Sequence, residues 1–298
     1  MIELMITEKP RALVEGFTVG RVLPAVTRRH VGPIVFFDHM GPAEIAPGHA
    51  LDVPPHPHIG LSTVTYLFEG EIEHRDSLGM LQTIRPGDIN WMTAGRGIAH
   101  SERTPEHVKK AGGRLHGIQL WVALPKEHEE TEPSFHHHKA SSLPTLELNG
   151  VILRVLIGTA YGRTSPVATH SSMFYCEAAA VAGADLELPE GYPERAVYVV
   201  EGQASSGGET IAKGTLAVFA EGSKAVVHAE TACHLMLVGG APLAEPRYMW
   251  WNFVSSSKER LEQAANDWRE GRFTRVVGDE IELVPAPEDS RFTKQEKK

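Results

Sequence analysis

The chain has 298 residues, 42% of them hydrophobic, and a formal net charge of −9. That is apolar material for one large domain or two of ordinary size, and the acidic balance argues against a nucleic-acid-binding face. MIELMITEKPRALVEG at the start has no basic stretch leading into an apolar one, and no window approaches about 18 uninterrupted apolar residues, so neither a signal peptide nor a transmembrane helix is expected. The protein is expected to be soluble and cytoplasmic, with no membrane partner.

From the N-terminus onward, Gly, Pro and Asp punctuate short runs of alternating or β-branched residues. These are 61-LSTVTYLF-68, 89-INWM-92, 115-LHGIQLWVAL-124, 151-VILRVLIG-158, 196-AVYVVEG-202, 215-TLAVFA-220 and 234-HLMLVGG-240. Many short strands with turn signals between them predict an all-β fold, a sandwich or a barrel. Residues 126-KEHEETEPSFHHHKASSLP-144 interrupt this with charge, Pro, Ser and His and read as a linker. The division expected is 1–132 and 146–298 as domains, with 133–145 between them. One helix is predicted at about 255–270. Ser256 with Glu259 forms a capping box, Gly271 supplies the stop, and Leu261, Ala264, Ala265 and Trp268 share one face for docking. The last stretch, 285–298, is polar and expected to be loose. Cys176 and Cys233 are the two cysteines, both in apolar runs, and read as reduced core thiols.

The two halves echo each other. 65-TYLFEGEI-72 followed by 86-PGDINWMTAGRG-97 matches 197-VYVVEGQA-204 followed by 213-KGTLAVFAEGS-223 in its succession of strand, Glu-Gly turn, Gly turn and strand. This predicts two copies of one β-domain.

Of 16 histidines, 13 lie between residues 30 and 138. His56 and His58 flank Pro57 before a predicted strand, and alternation puts both imidazoles on one face. His100 and Glu102 form a second such pair after a Gly-rich turn. An isolated His-x-His is commonly a surface pair, but these two pairs at the ends of one β module can converge inside a barrel. Three imidazoles and a carboxylate suit Fe(II), Mn, Co, Ni, Cu or Zn better than Mg or Ca. His74 reads either as a group that orients a ligand or as an exposed side chain, His116 as a satisfied core histidine, and His136, His137 and His138 as a solvated loop.

The segments 54-PPHPHIGLSTVTYLFEGEIEHRDSLG-79, 86-PGDINWMTAGRGIAHSE-102, 114-RLHGIQLWVALP-125, 240-GAPLAEP-246 and 252-NFVSSSKERLEQAANDWREGRF-273 closely resemble the pirin family of the cupin superfamily. The resemblance runs from about residue 12 to about residue 285. It implies two cupin β-barrels with a C-terminal helix, and one divalent transition metal, Fe(II) foremost, held in the N-terminal barrel by His56, His58, His100 and Glu102. It also implies a quercetin 2,3-dioxygenase type of reaction, in which O2 opens a flavonol-like aromatic ring with release of carbon monoxide. Glu102 is then both ligand and acceptor of the substrate proton. The alternative within the family is a metal-containing regulator that binds a transcriptional or metabolic protein partner, without direct nucleic-acid contact.

Unlike most cupins, the chain has Ser62 and Thr63 where a Glu commonly follows His-x-His, so Glu102 is expected to supply the carboxylate. Aligning the second half on the first puts Leu188 and Glu190 in the places of His56 and His58, while His228 and Glu230 echo His100 and Glu102 only with an insertion. No tight metal site is expected there. A flat aromatic substrate needs apolar walls, for which Phe36, Phe37, Met40, Trp91 and Met92 are candidates, with Asp38, His39 and Gln119 as orienting groups.

Overall fold

The structure, a computed structural model, describes residues 1–14, 16–288 and 293–295, the last three as backbone. It is all-β apart from the short helix Glu106–Ala111, the helix Lys258–Arg269 and two single 3-10 turns. No helix among the described residues is long and apolar enough to cross a membrane.

Contacts divide the chain into two compact units that interleave in sequence. One contains residues 1–9, 20–35 and 138–242, the other 10–19, 36–137 and 243–298. The expected contiguous division at 133–145 differs from this grouping at both chain ends. Near the N-terminus, Ile2–Thr7 adds an edge strand to Thr215–Phe219, with Leu4 opposite Val218. Near the C-terminus, the chain returns to the histidine-bearing unit, where Trp250, Phe253, Leu261, Ala264, Ala265 and Trp268 pack with Ile59 and Ala99. A helix with one apolar face cannot bury that face alone, so it docks where a complementary surface exists.

The histidine-bearing unit is built on a seven-stranded sheet in the order Ser134–His138, Ile89–Thr93, Leu61–Glu69, Gly113–Ala123, Ile34–Ile45, Phe17–Leu23, Lys9–Val14. A four-stranded sheet accompanies it in the order Val53–His58, Ile98–Arg103, Ile72–Asp76, Leu81–Ile84. Phe17, Met40 and Leu67 of the larger sheet meet Ile72 and Ile84 of the smaller across a shared core. Strand alternation buries Ile72, His74 and Asp76 while Glu73 and Arg75 stay partly exposed and pair with each other. The other unit repeats the plan. Its eight-stranded sheet includes Glu194–Glu201, Cys233–Gly240 and Met173–Ala180, and its four-stranded sheet is Asp185–Glu187, Val226–Ala229, Gln203–Ser206, Glu209–Ala212.

The repeated Glu-Gly turn has a steric reason. Gly70 and Gly202 both have φ of +84°, and an added Cβ would lie 2.1 Å from the Arg114 carbonyl oxygen in one case and 2.3 Å from that of Ala232 in the other. Only glycine combines that dihedral with so close a backbone approach.

Three local expectations change. Residues 134–138, read as linker, form a strand beside Ile89–Thr93, and His137 there bonds the Asn90 side chain at 2.7 Å. A sequence run that looked polar and solvated is half-buried because a sheet edge was available to it. The helix cap is Ser257, whose hydroxyl accepts from the Arg260 N–H at 3.2 Å. Ser256, expected there, instead donates from its N–H and its hydroxyl to the Glu129 carboxylate. Of the stretch 285–298, residues 289–292 and 296–298 lie outside the described residues. Just before it, the Val284 carbonyl accepts from Trp268 Nε1 at 2.9 Å, and within it the Pro287 carbonyl accepts from Arg269. Gly271, with φ of +70°, ends the helix as expected, and both cysteines are buried and free.

Candidate metal centre

Two adjacent antiparallel strands, Val53–His58 and Ile98–Arg103, carry the two sequence pairs, with His100 opposite His56. The register slips between His100 and Glu102, so that Glu102 faces Val53. Pro54 and Pro55 lie in the slipped stretch, and prolines donate no ladder hydrogen bonds, which favours an irregularity there.

His56, His58 and His100 come together. All three are buried, and one ring nitrogen from each lies within 4.8 Å of the others. His58 Nε2 and His100 Nε2 face each other at 3.1 Å, a separation that one shared proton or one shared metal ion can satisfy. The ring centroids of His56 and His100 are 4.4 Å apart. The other nitrogens are held from behind. His56 Nδ1 lies 2.9 Å from the Pro54 carbonyl oxygen, and His58 Nδ1 2.9 Å from that of Asn252. A carbonyl only accepts, so Nδ1 of each ring carries the proton and Nε2 is left as a lone pair. His100 Nδ1 lies 3.3 Å from His74 Nδ1.

The electrostatics agree with this donor chemistry. Burial lowers His56 to about 4, against the pull of the Pro54 carbonyl. His58 and His100 are pushed well down by burial first and by neighbouring imidazoles second. Neutral imidazoles are what a metal needs as ligands. The donor set therefore fits a transition metal, and soft or borderline ions suit it better than Mg or Ca.

Glu102 stands on the same cavity wall as His56 and His58 but outside the group of three. Its Oε1 accepts from the Thr65 hydroxyl at 3.4 Å, and Gln119 is a second partner. Burial raises its pKa, opposed by His74, Gln119 and Thr65.

The cavity has a volume of about 160 Å³. Of the expected walls, Phe36 and Met40 line it, as do Asp38 and Gln119. Trp91 and Met92 are buried away from it. Trp91 donates to the Thr93 hydroxyl, and Met92 packs with Ala94, Ile98 and Phe135. Phe37 is fully buried, and His39 bonds His116 at 2.8 Å. Alternation explains the split: residues 36, 38 and 40 share one face of their strand, and 37 and 39 the other. Trp121, Trp251 and Asn252 also line the cavity and were not singled out in the sequence. Trp121 stacks on Phe36 at 3.9 Å and has the same parity as Gln119, a signal that alternation alone offered. Trp251 and Asn252 arrive with the C-terminal segment and carried no local signal.

In the second barrel the corresponding interior is apolar. Leu186, Leu188, Ala225, Val227 and Ala229 belong to one buried cluster. His228 has the opposite parity to Val227, is partly exposed, and pairs with Asp185 at 2.8 Å.

Comparison with known proteins accounts for both barrels. Residues 16–122 match the model of the Pirin family, and residues 175–274 that of the Pirin C-terminal cupin domain. A "Pirin-like protein" of Caulobacter vibrioides is 48% identical over 97% of this chain and 100% of its own length. A Pseudomonas aeruginosa protein named "Putative quercetin 2,3-dioxygenase PA1205" is 39% identical over 95% of this chain and 89% of its own. A crystal structure described as quercetin 2,3-dioxygenase from Acinetobacter baumannii superposes with a TM-score of 0.87 at 32% identity, covering 97% of each chain. With both barrels matched and a relative this similar along its whole length, the chain belongs to the pirin family and consists of two cupin domains.

Proposed function

We propose that the protein is a metal-dependent dioxygenase that opens a flavonol-like aromatic compound with O2. The observation that carries this reading is the convergence of three buried imidazoles, two of which, His56 and His58, line a cavity shared with Phe36, Met40 and Trp121. Its similarity to proteins described as quercetin 2,3-dioxygenases adds the substrate class. In this reading His56, His58 and His100 hold one divalent transition metal, Fe(II) foremost, and Glu102 completes the set. The metal supplies a Lewis acid for the substrate hydroxyl oxygen and a redox partner for O2.

The chain's own residues do the rest. Glu102, on the wall beside His56 and His58, accepts the proton that the substrate hydroxyl gives up on binding. Thr65 and Gln119 hold that carboxylate in place. The stacked pair Phe36 and Trp121 presents a flat apolar surface to an aromatic ring. A cavity of about 160 Å³ is smaller than the roughly 300–1,000 Å³ of pockets that enclose whole drug-sized ligands. One ring system is therefore buried, and the remainder of the substrate lies toward the mouth.

Oxygen-electrode traces with quercetin, on untagged protein reconstituted with iron, test the reading. Metal-dependent uptake is expected, and Glu102→Gln should keep most of the metal while losing at least about 100-fold in turnover, as removal of a general base does. One metal per chain without oxygen uptake would overturn the dioxygenase assignment.

A further inference from the structure

The three imidazoles are not supported alike. Two rest on backbone carbonyls, of Pro54 and Asn252, which can only accept. His100 alone turns its Nδ1 to another side chain, His74, at 3.3 Å. An imidazole nitrogen can be donor or acceptor, so this support is ambiguous until something sets the tautomer of His74. Asp76 does so. Its Oδ2 lies 3.1 Å from His74 Nε2, and its Oδ1 accepts the N–H groups of Leu78 and Met80 at 2.9 and 3.0 Å. Those two turn N–H groups fix the carboxylate's orientation. Phe135, from the strand that sequence read as linker, stacks on the His74 ring at 4.3 Å and 19°. His74 and Asp76 are both buried, Asp76 completely.

We propose that His74 and Asp76 are positioning residues that fix the tautomer of His100 for metal binding, an inference that rests on the metal reading of the three-histidine site. The proton positions follow one from the next. Asp76 Oδ1 is occupied by two N–H donors and its Oδ2 faces His74 Nε2 as an acceptor, so His74 Nε2 carries the hydrogen. With its hydrogen at Nε2, His74 turns the lone pair of Nδ1 toward His100 Nδ1, 3.3 Å away. That lone pair accepts the Nδ1–H of His100. His100 Nε2 is left unprotonated, pointing where His58 Nε2 points. A carboxylate behind a ligating imidazole through one intermediate ring also makes that ligand more basic. The second barrel supports the pairing of this device with the metal site: counting from the matched turn glycines Gly70 and Gly202, Ser206 stands where His74 stands, beside an apolar interior.

The test is Co(II) affinity of the full-length, metal-stripped protein by chelator competition, with the thermal midpoint of the metal-free form measured alongside. Asp76→Asn keeps Oδ1 for the turn but replaces the acceptor toward His74 with a donor. That reverses each proton in turn and places one on His100 Nε2. His74→Phe keeps a ring for Phe135 to stack on but removes the acceptor, and it carries the test if Asp76→Asn does not fold. Each variant should bind Co(II) about 10- to 100-fold more weakly than wild type. In proton NMR of the Co(II) form, the hyperfine-shifted exchangeable N–H of His100 should be lost or displaced, while those of His56 and His58 stay. Affinity within threefold of wild type with all N–H signals unmoved, even with a lowered thermal midpoint, would reduce the pair to a structural role and overturn the inference. Wild-type protein that fails to bind one Co(II) would instead sink the metal reading itself, and this inference with it.

Discussion

Where one barrel carries His56 opposite His100, the other carries Leu188 against Ala225, although each is built from one large and one four-stranded sheet with the same Glu-Gly turn. Gly70 and Gly202 share a dihedral and a steric reason, but one interior is polar and the other closes on methyl groups. A buried imidazole without a partner is costly, so a polar interior persists only where every group is satisfied. In the first barrel that condition is met by the Pro54 and Asn252 carbonyls, by His74 with Asp76, and by Thr65 with Glu102. The second barrel avoids the requirement by packing apolar residues. The cupin shell is thus indifferent to what fills it, and chemistry belongs to the interior rather than to the fold.

The sharpest way to break this contrast is metal content. His56→Ala or His100→Ala should abolish stoichiometric metal, whereas His228→Ala and Glu190→Ala should leave it at the wild-type level by elemental analysis. Full metal in His56→Ala would show that the three-imidazole group is not the site.

Next in size is acid stability of the metal-free protein. His56 is lowered in the folded state from 6.5 to about 4, so the unfolded chain binds the extra proton. Stability is therefore fully present above pH 6.5 and is lost as pH falls toward 4, by about 3 kcal/mol for this group. His58 and His100 act in the same sense, and Glu102, whose pKa is raised, acts in the opposite one. Urea unfolding between pH 7 and 4 should show a steeper loss for wild type than for His56→Ala. Equal slopes would mean that these imidazoles are not buried neutral.

The smallest effect probes what the barrels share. Gly70→Ala and Gly202→Ala should each destabilise by about 2 kcal/mol, since each forces a left-handed dihedral and a collision with a carbonyl oxygen. Markedly unequal losses in denaturant unfolding would show that the two turns are not structurally equivalent.

Much of this was legible in the chain. Period-2 patterning marked the strands, the Glu-Gly turns marked the repeat, and His-x-His with His-x-Glu marked the histidines that converge, because alternation is a local property of backbone geometry. The same rule separates Phe36 and Met40 from Phe37 and His39. Other features had no local signature. Residues 134–138 look like a solvated linker and become a strand because an edge was free to pair. The cap moved from Ser256 to Ser257 because Glu129, distant in sequence, holds Ser256.

Sequence by itself determined the fold class, the two-barrel repeat and the identity of the three clustered histidines, since each depends on spacing along a few residues. Only the tertiary structure decided how those histidines are held. Asn252 reaches His58 from 194 residues away, and Phe135 reaches His74 from a strand that sequence did not predict. The division of the chain into interleaved units was likewise a matter of which surfaces were left to bury. Ligand type is written in the residue, but its proton position and orientation come from partners that only folding brings within hydrogen-bond distance.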